Sequence, residues 1–228
     1  SVVVGGKGST AANEYTVSVG GINNKATGKY SAAFGGAGNT ASGDLSLVIG
    51  GGYINNSGGI VNGNNVANGR SSLILGGSNN TTTKEAGQSV IVGGSGNTAS
   101  GVNSAVFGGE GNKATEYLST AVGGGGNTAS GLNSTTLGGE NNTASMPYSV
   151  TLGGSGNEAS SFHSAAVGGE SNKATGDKSV VIGGQNGIAS KNYSVTLGGE
   201  GTSADAEYAV AIGGAKAAGK NSVAIGNG

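Results

Sequence analysis

Four glutamates, Glu110, Glu140, Glu170 and Glu200, stand in one phase of the sequence, each directly after a Gly-Gly pair. A carboxylate pair can do acid–base chemistry only if both groups reach one reacting bond. These four share a phase but recur two repeats apart, so they read as solvated turn residues at the edge of a repeat. The remaining role open to them is lining a cation-binding or basic-ligand edge. The single histidine, His163, follows Phe162 in another turn and has no second base or ligand near it in sequence, which makes it an exposed spacer. Cysteine is absent, so thiolate chemistry, disulfides and Cys-ligated metals are excluded. Stretches such as GGAGNTASG (35–43) are glycine-rich enough for a phosphate loop, yet no GK[ST] and no strand–loop–long-helix unit accompanies them. Asp occurs only at 44, 177 and 205, without the fixed phase that calcium-binding glycine-rich repeats need. No catalytic residue, metal or cofactor is expected.

The elements that carry these residues are set by an unusual composition. The 228 residues include 51 Gly and one Pro; 10% are charged, 4% aromatic and 34% hydrophobic, and the formal net charge is −1. Disordered chains combine low hydrophobicity with strong net charge, and neither holds here. Nucleic-acid binding requires clustered Lys and Arg, which a near-neutral chain with 11 basic residues does not supply. No apolar run is long enough to span a membrane as a helix.

Order comes instead from a period. The first glycine of each Gly-Gly that follows a short apolar run falls at positions 5, 20, 35, 50, 76, 93, 108, 123, 138, 153, 168, 183, 198 and 213, and Gly226 continues the phase. The spacing is 15, with exceptions of 26 after Gly50, 17 after Gly76 and 13 after Gly213. SAVFGGEGNKATEYL (104–118) is a typical unit. Fifteen residues are too few for a helix pair but suffice for two short strands and two turns. The predicted fold is therefore all-β: a parallel β-roll of about fifteen coils of 13–17 residues, one repeat-built domain over 1–228. At about 4.8 Å per coil it would be a rod roughly 70 Å long.

Side chains alternate across a strand, so the repeat can be read by face. The residue before each marker glycine is always large and apolar (Val19, Phe34, Ile49, Phe107, Leu137, Ile182), which marks it as the expected core column, packed against a recurrent Ala (Ala26, Ala41, Ala99, Ala114). The middle of the same strand would then face outward: Val3, Ala33, Val48, Ile74, Ile91, Val106, Ala121, Thr136, Thr151, Ala166, Val181, Thr196 and Ala211. That column is uncharged, whereas a solvent face should carry Lys and Glu. It is read as an inter-chain surface, since an apolar stripe implies a partner and another copy is the commonest one. The second strand is polar outward (Lys25, Thr98, Lys113, Lys173), and an Asn column (Asn24, Asn39, Asn97, Asn112, Asn127, Asn142) is expected to form a buried amide ladder.

AVAIGGAKAAGKNSVAIGNG (209–228) and the many SxVxGGxxNxASG units resemble the head repeats of YadA-like trimeric autotransporter adhesins, also called haemagglutinin repeats. The resemblance covers nearly the whole chain. It implies a left-handed parallel β-roll assembled as a homotrimer and displayed outside a Gram-negative cell. It also implies an adhesive, non-catalytic role toward extracellular matrix proteins, host cell-surface proteins or other bacteria. Only the head is represented in these residues, so the outer membrane would be reached through stalk and anchor segments outside them. The number three comes from this resemblance; alternation alone suggests only an oligomer. The competing reading is a solenoid whose Ser/Thr rows bind a regular lattice such as ice or polysaccharide, although Lys113, Glu158 and Lys173 interrupt such rows.

Two departures from the period are candidate contact sites. The spacing of 26 implies an insertion at about 51–60 carrying Tyr53, Ile54, Asn55, Asn56 and Ile60, after which Val61 would take the marker position. This segment is either a displayed protrusion or a flap over a neighbouring chain. The spacing of 17 implies a shorter insertion at about 81–87, bearing Lys84 and Glu85. Tyr30, Tyr148, Tyr193 and Tyr208 precede strands in the variable turn and are either ligand contacts or packing between coils.

Overall fold

The computed structural model describes residues 1–54, 60–61 and 63–226, with 53–54 and 60–61 described as backbone only. Among these residues the structure is all-β. Three-residue strands alternate with two-residue strands along the chain and make a parallel β-solenoid of about fourteen turns. The chain divides into two compact units, Ser1–Leu118 and Ser119–Gly228. In the first, strands such as Ala32–Phe34 and Leu47–Ile49 pair in parallel and in register, Ala33 opposite Val48, and Val48 opposite Ile74. Two-residue strands such as Thr98–Ala99 and Lys113–Ala114 form a second parallel sheet. The second unit repeats this plan, with Thr136 opposite Thr151 in one sheet and Ala144 opposite Ala159 in the other.

Turn chemistry explains why so short a coil closes. Both glycines of each Gly-Gly pair have positive φ, for example 65° at Gly35 and 71° at Gly36, a region costly for other residues. The second glycine is needed for a further reason. A Cβ on Gly36 would collide with the carbonyl oxygen of Gly51 in the next coil and crowd the Asn39 amide, whereas one on Gly35 would meet nothing. The opposite turn is held by serine: the Ser149 hydroxyl donates to the Met146 carbonyl at 2.6 Å, and Ser164 and Ser194 repeat this with Ser161 and Lys191.

The asparagines form the expected ladder. Asn142 Nδ2 donates to Gly138 O in its own coil (3.2 Å) and to Gly154 O in the next (3.1 Å), while its Oδ1 accepts the Asn157 backbone N–H at 2.9 Å. Asn157 and Asn172 continue the pattern. The Gly187 N–H donates to Asn172 Oδ1, but glycine has no side-chain amide with which to extend the ladder. At Thr202 a hydroxyl stands in, donating to Gly198 O and accepting from Gly214 N.

The two faces of the three-residue strands are the reverse of the sequence-based expectation. Their middle residues point inward: Ala33, Val48, Ile74, Ile91 and Val106 in the first unit, and Ala121, Thr136, Thr151, Ala166, Val181, Thr196 and Ala211 in the second, are all buried. The end coils are the exceptions, with Val3 48% exposed on the first and Ala224 half-buried on the last. These residues belong to the core within one chain and cannot form an inter-chain surface. The large residues before the marker glycines point out, Phe107 and Ile182 both 44% exposed. Size explains the inversion. The inside of a coil takes one side chain from the middle of the long strand, one Ala methyl from the short strand, and the flanking Ser and Asn, as with Ser31, Ala33, Asn39 and Ala41. A column of Phe, Leu and Ile facing that row would overpack it.

The hydroxyls of Thr136, Thr151 and Thr196 are buried without a hydrogen-bond partner. Replacing an unpaired buried hydroxyl by a methyl of the same shape removes a desolvation penalty. The combined Thr136→Val, Thr151→Val and Thr196→Val variant is expected to gain about 1 kcal/mol or more in chemical denaturation. An unchanged or lower midpoint would contradict this assignment of the core. Conversely, Asn142→Ala strips a backbone N–H and two carbonyls of their partner and is expected to cost about 2–4 kcal/mol. Asn142→Thr, copying Thr202, should recover part of that loss in the same measurement.

Candidate binding surfaces

The outer face of the three-residue strands carries two residues per coil. In the first unit these include Ala32 and Phe34, Leu47 and Ile49, Leu73 and Leu75, Val90 and Val92, and Ala105 and Phe107. In the second they include Thr135 and Leu137, Val150 and Leu152, Val180 and Ile182, and Val210 and Ile212. No three-residue strand contains a charged residue. Phe34, Ile49, Val92, Leu137 and Ile182 stand among the exposed large hydrophobic residues. Isolated exposed apolar side chains are ordinary, but a contiguous stripe that excludes charge marks an interaction surface. The uncharged apolar stripe is therefore on the opposite face of the strand from the one expected, formed by the residues that flank the buried middle position.

The face of the short strands is different in kind. Thr98, Lys113, Thr128, Thr143, Glu158, Lys173 and Ile188 occupy its outward positions, and Lys173 pairs with Glu158 at 3.8 Å. Interleaved long charged side chains prevent a flat hydroxyl array here.

The variable turn forms an edge of its own. Tyr15, Tyr30, Leu45, Tyr148, His163, Lys178, Tyr193 and Tyr208 occupy equivalent positions with φ between 54° and 60°. This region is costly for bulky residues. The backbone is fixed by the neighbouring coil, as when Tyr30 N–H donates to Glu14 O at 3.0 Å. Side chains then stack: Tyr15 on Tyr30, Tyr148 on His163 and Tyr193 on Tyr208, each with ring centroids 4.8 Å apart. His163 is therefore a stacked turn residue, and the four tyrosines pack between coils while remaining exposed. Lys178 Nζ donates to the Tyr193 hydroxyl at 3.0 Å, which raises the lysine's pKa above its ordinary value. Asp205, which accepts from Ser203 and lies 3.4 Å from Lys216, is held below the ordinary carboxylate range, chiefly by the Ser203 hydrogen bond.

Glu110, Glu140, Glu170 and Glu200 are exposed in the turn after Gly-Gly. In the second unit Glu140, Glu170 and Glu200 share a column with intervening residues: Glu140 bridges to Ser155, Ser155 to Glu170, Glu170 to Gln185 and Gln185 to Glu200. Gln185 Nε2 donates to Glu170 Oε2 at 3.1 Å. Among the described residues, no three His, Asp or Glu side chains gather where they could hold a metal ion.

At the longer insertion, Tyr53–Ile54 pairs antiparallel with Ile60–Val61, Tyr53 opposite Val61 and Ile54 opposite Ile60. Val61 thus belongs to a hairpin and does not resume the marker phase. The excursion returns at Gly63, whose N–H donates to Ala37 O at 2.8 Å. A Cβ on Gly63 would run into the backbone of Gly52, so glycine permits the two stems to meet. The regular coil resumes with Asn65 in the Asn ladder and Ala67 in the Ala column, both buried. Asn55 and Asn56 lie outside the described residues.

At the shorter insertion, Thr82 takes the inward Ala position, and its hydroxyl donates to Ser72 Oγ at 2.8 Å. Lys84 and Glu85 bulge outward, and Ala86 returns the chain to the core. Sequence reasoning missed Arg70, the only arginine of the chain, which stands beside this bulge with Asp44 and Lys84 around an open groove. Its uniqueness next to a break in the period was the available signal.

No protein-family model matches this chain, and no curated protein matches its sequence.

Proposed function

We propose that the chain is the adhesive head of a trimeric autotransporter displayed on the Gram-negative cell surface. In this reading three left-handed rolls pack side by side, and the composite outer surface binds matrix proteins, host cell-surface proteins or other bacteria without catalysis. The observation that carries it is the uncharged apolar face of the three-residue strands. Leu137 is 40% and Ile182 44% exposed in the single chain, a state that packing against a second copy would relieve. The threefold symmetry, the handedness and the surface location rest on the resemblance of the repeats to YadA-like heads. The stacked turn edge and the short-strand face would remain outside such an assembly and carry the exposed polar and aromatic groups suited to ligand contact.

Light scattering of the purified chain at micromolar concentration is expected to give three times the 21.4 kDa chain mass. A monomeric mass would overturn the assembly. The double variant Leu137→Glu, Ile182→Glu places carboxylates in the proposed interface, where burial of an unpaired charge is strongly unfavourable. It is expected to be monomeric with its β-sheet circular dichroism retained, and an unchanged mass would show that this face is not the interface. Adhesion itself is tested by a screen of the assembled protein against matrix proteins, receptor ectodomains and other bacteria. Binding to none of these classes would remove the adhesive reading.

A further inference from the structure

We propose that the groove around Arg70, in the first unit, binds an acidic saccharide, with Arg70 and Lys84 holding a uronate carboxylate or a sulfate. The groove, of about 260 Å³, is lined by Ser42, Gly43, Asp44, Asn68, Arg70 and Lys84. It lies where the two-residue bulge at Lys84 and Glu85 interrupts an otherwise regular coil. On the neighbouring turn of the same unit, Lys29 pairs with Glu14 at 2.7 Å. Arg70 and Lys84 make no ion pair among the described residues. A planar guanidinium beside an ammonium, both free, suits bidentate capture of a carboxylate or sulfate.

The remaining lining favours a sugar over an acidic peptide. The Asp44 carboxylate uses Oδ1 to accept the Lys29 backbone N–H at 2.8 Å, which leaves Oδ2 as an acceptor for a hydroxyl. Ser42 Oγ donates to Asn68 Oδ1 at 3.2 Å, which leaves the Asn68 amide N–H groups to donate. A carboxylate on the wall repels a uniformly acidic chain but hydrogen-bonds readily to sugar hydroxyls. Arg70 and Asp44 also line an adjoining groove with Tyr30 and Leu45, so apolar C–H surface of a neighbouring residue of an oligosaccharide has a contact there. This inference rests on the adhesive reading for its biological use, but the site lies within one chain and does not depend on assembly.

The test is isothermal titration of the full chain with three probes: a heparin-derived hexasaccharide, a hyaluronan hexasaccharide and neutral maltohexaose. At least one acidic hexasaccharide is expected to bind and maltohexaose is not; the heparin and hyaluronan arms separate sulfate from carboxylate recognition. Arg70→Gln and Lys84→Gln should each weaken binding about tenfold or more, the loss expected for a charge-assisted hydrogen bond. Lys113→Gln and Lys191→Gln, with the same charge change elsewhere, should leave it intact. Circular dichroism of each variant confirms folding, and both target side chains are exposed. Absence of acidic-saccharide binding, equal binding of maltohexaose, or equal losses from Arg70→Gln and Lys113→Gln would overturn the proposal. Polyglutamate binding as tightly as the acidic sugars, with the same Arg70 dependence, would overturn the saccharide assignment. The same samples' mass by light scattering and their adhesion in the screen separate failure of this site from failure of the adhesive reading.

Discussion

The structure depends on how little a coil of about fifteen residues can enclose. Two short strands and two tight turns leave room for one inward residue from the long strand, one from the short strand, and the Ser and Asn of the flanking segments. About half of the buried residues are therefore polar, and the turn backbone they enclose must find hydrogen-bond partners inside. The asparagines meet this demand by binding across coils: Nδ2 of Asn142 satisfies carbonyls in two consecutive coils and its Oδ1 takes the N–H of the next Asn. Each coil thus completes its own hydrogen bonding only when a neighbour is present. That coupling makes the architecture a stack of interdependent repeats.

The same constraint produces the outer apolar face. A narrow interior admits Ala, Val, Ile and Thr at the middle of the long strand, and the larger Phe, Leu and Ile must go outside. The chain does not balance them with charge there, although it has 23 charged residues to distribute and places all of them elsewhere. In the assembly proposed above, that face would be covered by copies of the same chain. Under the proposed function, recognition of other molecules falls to the turns, where side chains vary from coil to coil.

The turns show how side-chain variety is accommodated on a monotonous backbone. Positions held at positive φ by neighbouring coils accept Tyr, His, Leu and Lys, and their stacking at 4.8 Å offsets part of the conformational strain. Larger variation comes by insertion. The hairpin at Tyr53–Ile54 and Ile60–Val61 leaves the coil without disturbing the pairing of Val66 with Thr40. The bulge at Lys84 and Glu85 leaves Ala86 buried and opens the groove beside Arg70.

The repeat, the parallel coils, the Asn ladder and the Ala column were legible in the sequence because each has a fixed phase. The direction of the long strand was not, since both columns are apolar and the more uniform one invited the role of core. The serine before most long strands carries the missing information. Ser149 and Thr151 share a face, and a serine that closes a turn from inside, as Ser149 does onto the Met146 carbonyl, places the middle residue inside as well. The hairpin's full extent, to Val61 and Gly63, was obscured because its residues mimic the phase of the repeat. The most direct test of the central claim uses the absence of cysteine. Single cysteines at Val106 and Phe107, probed with a short bifunctional maleimide under native conditions, report the two faces of one strand. Cross-linking of separate chains through Phe107→Cys and none through Val106→Cys is the result predicted, and the reverse would contradict it.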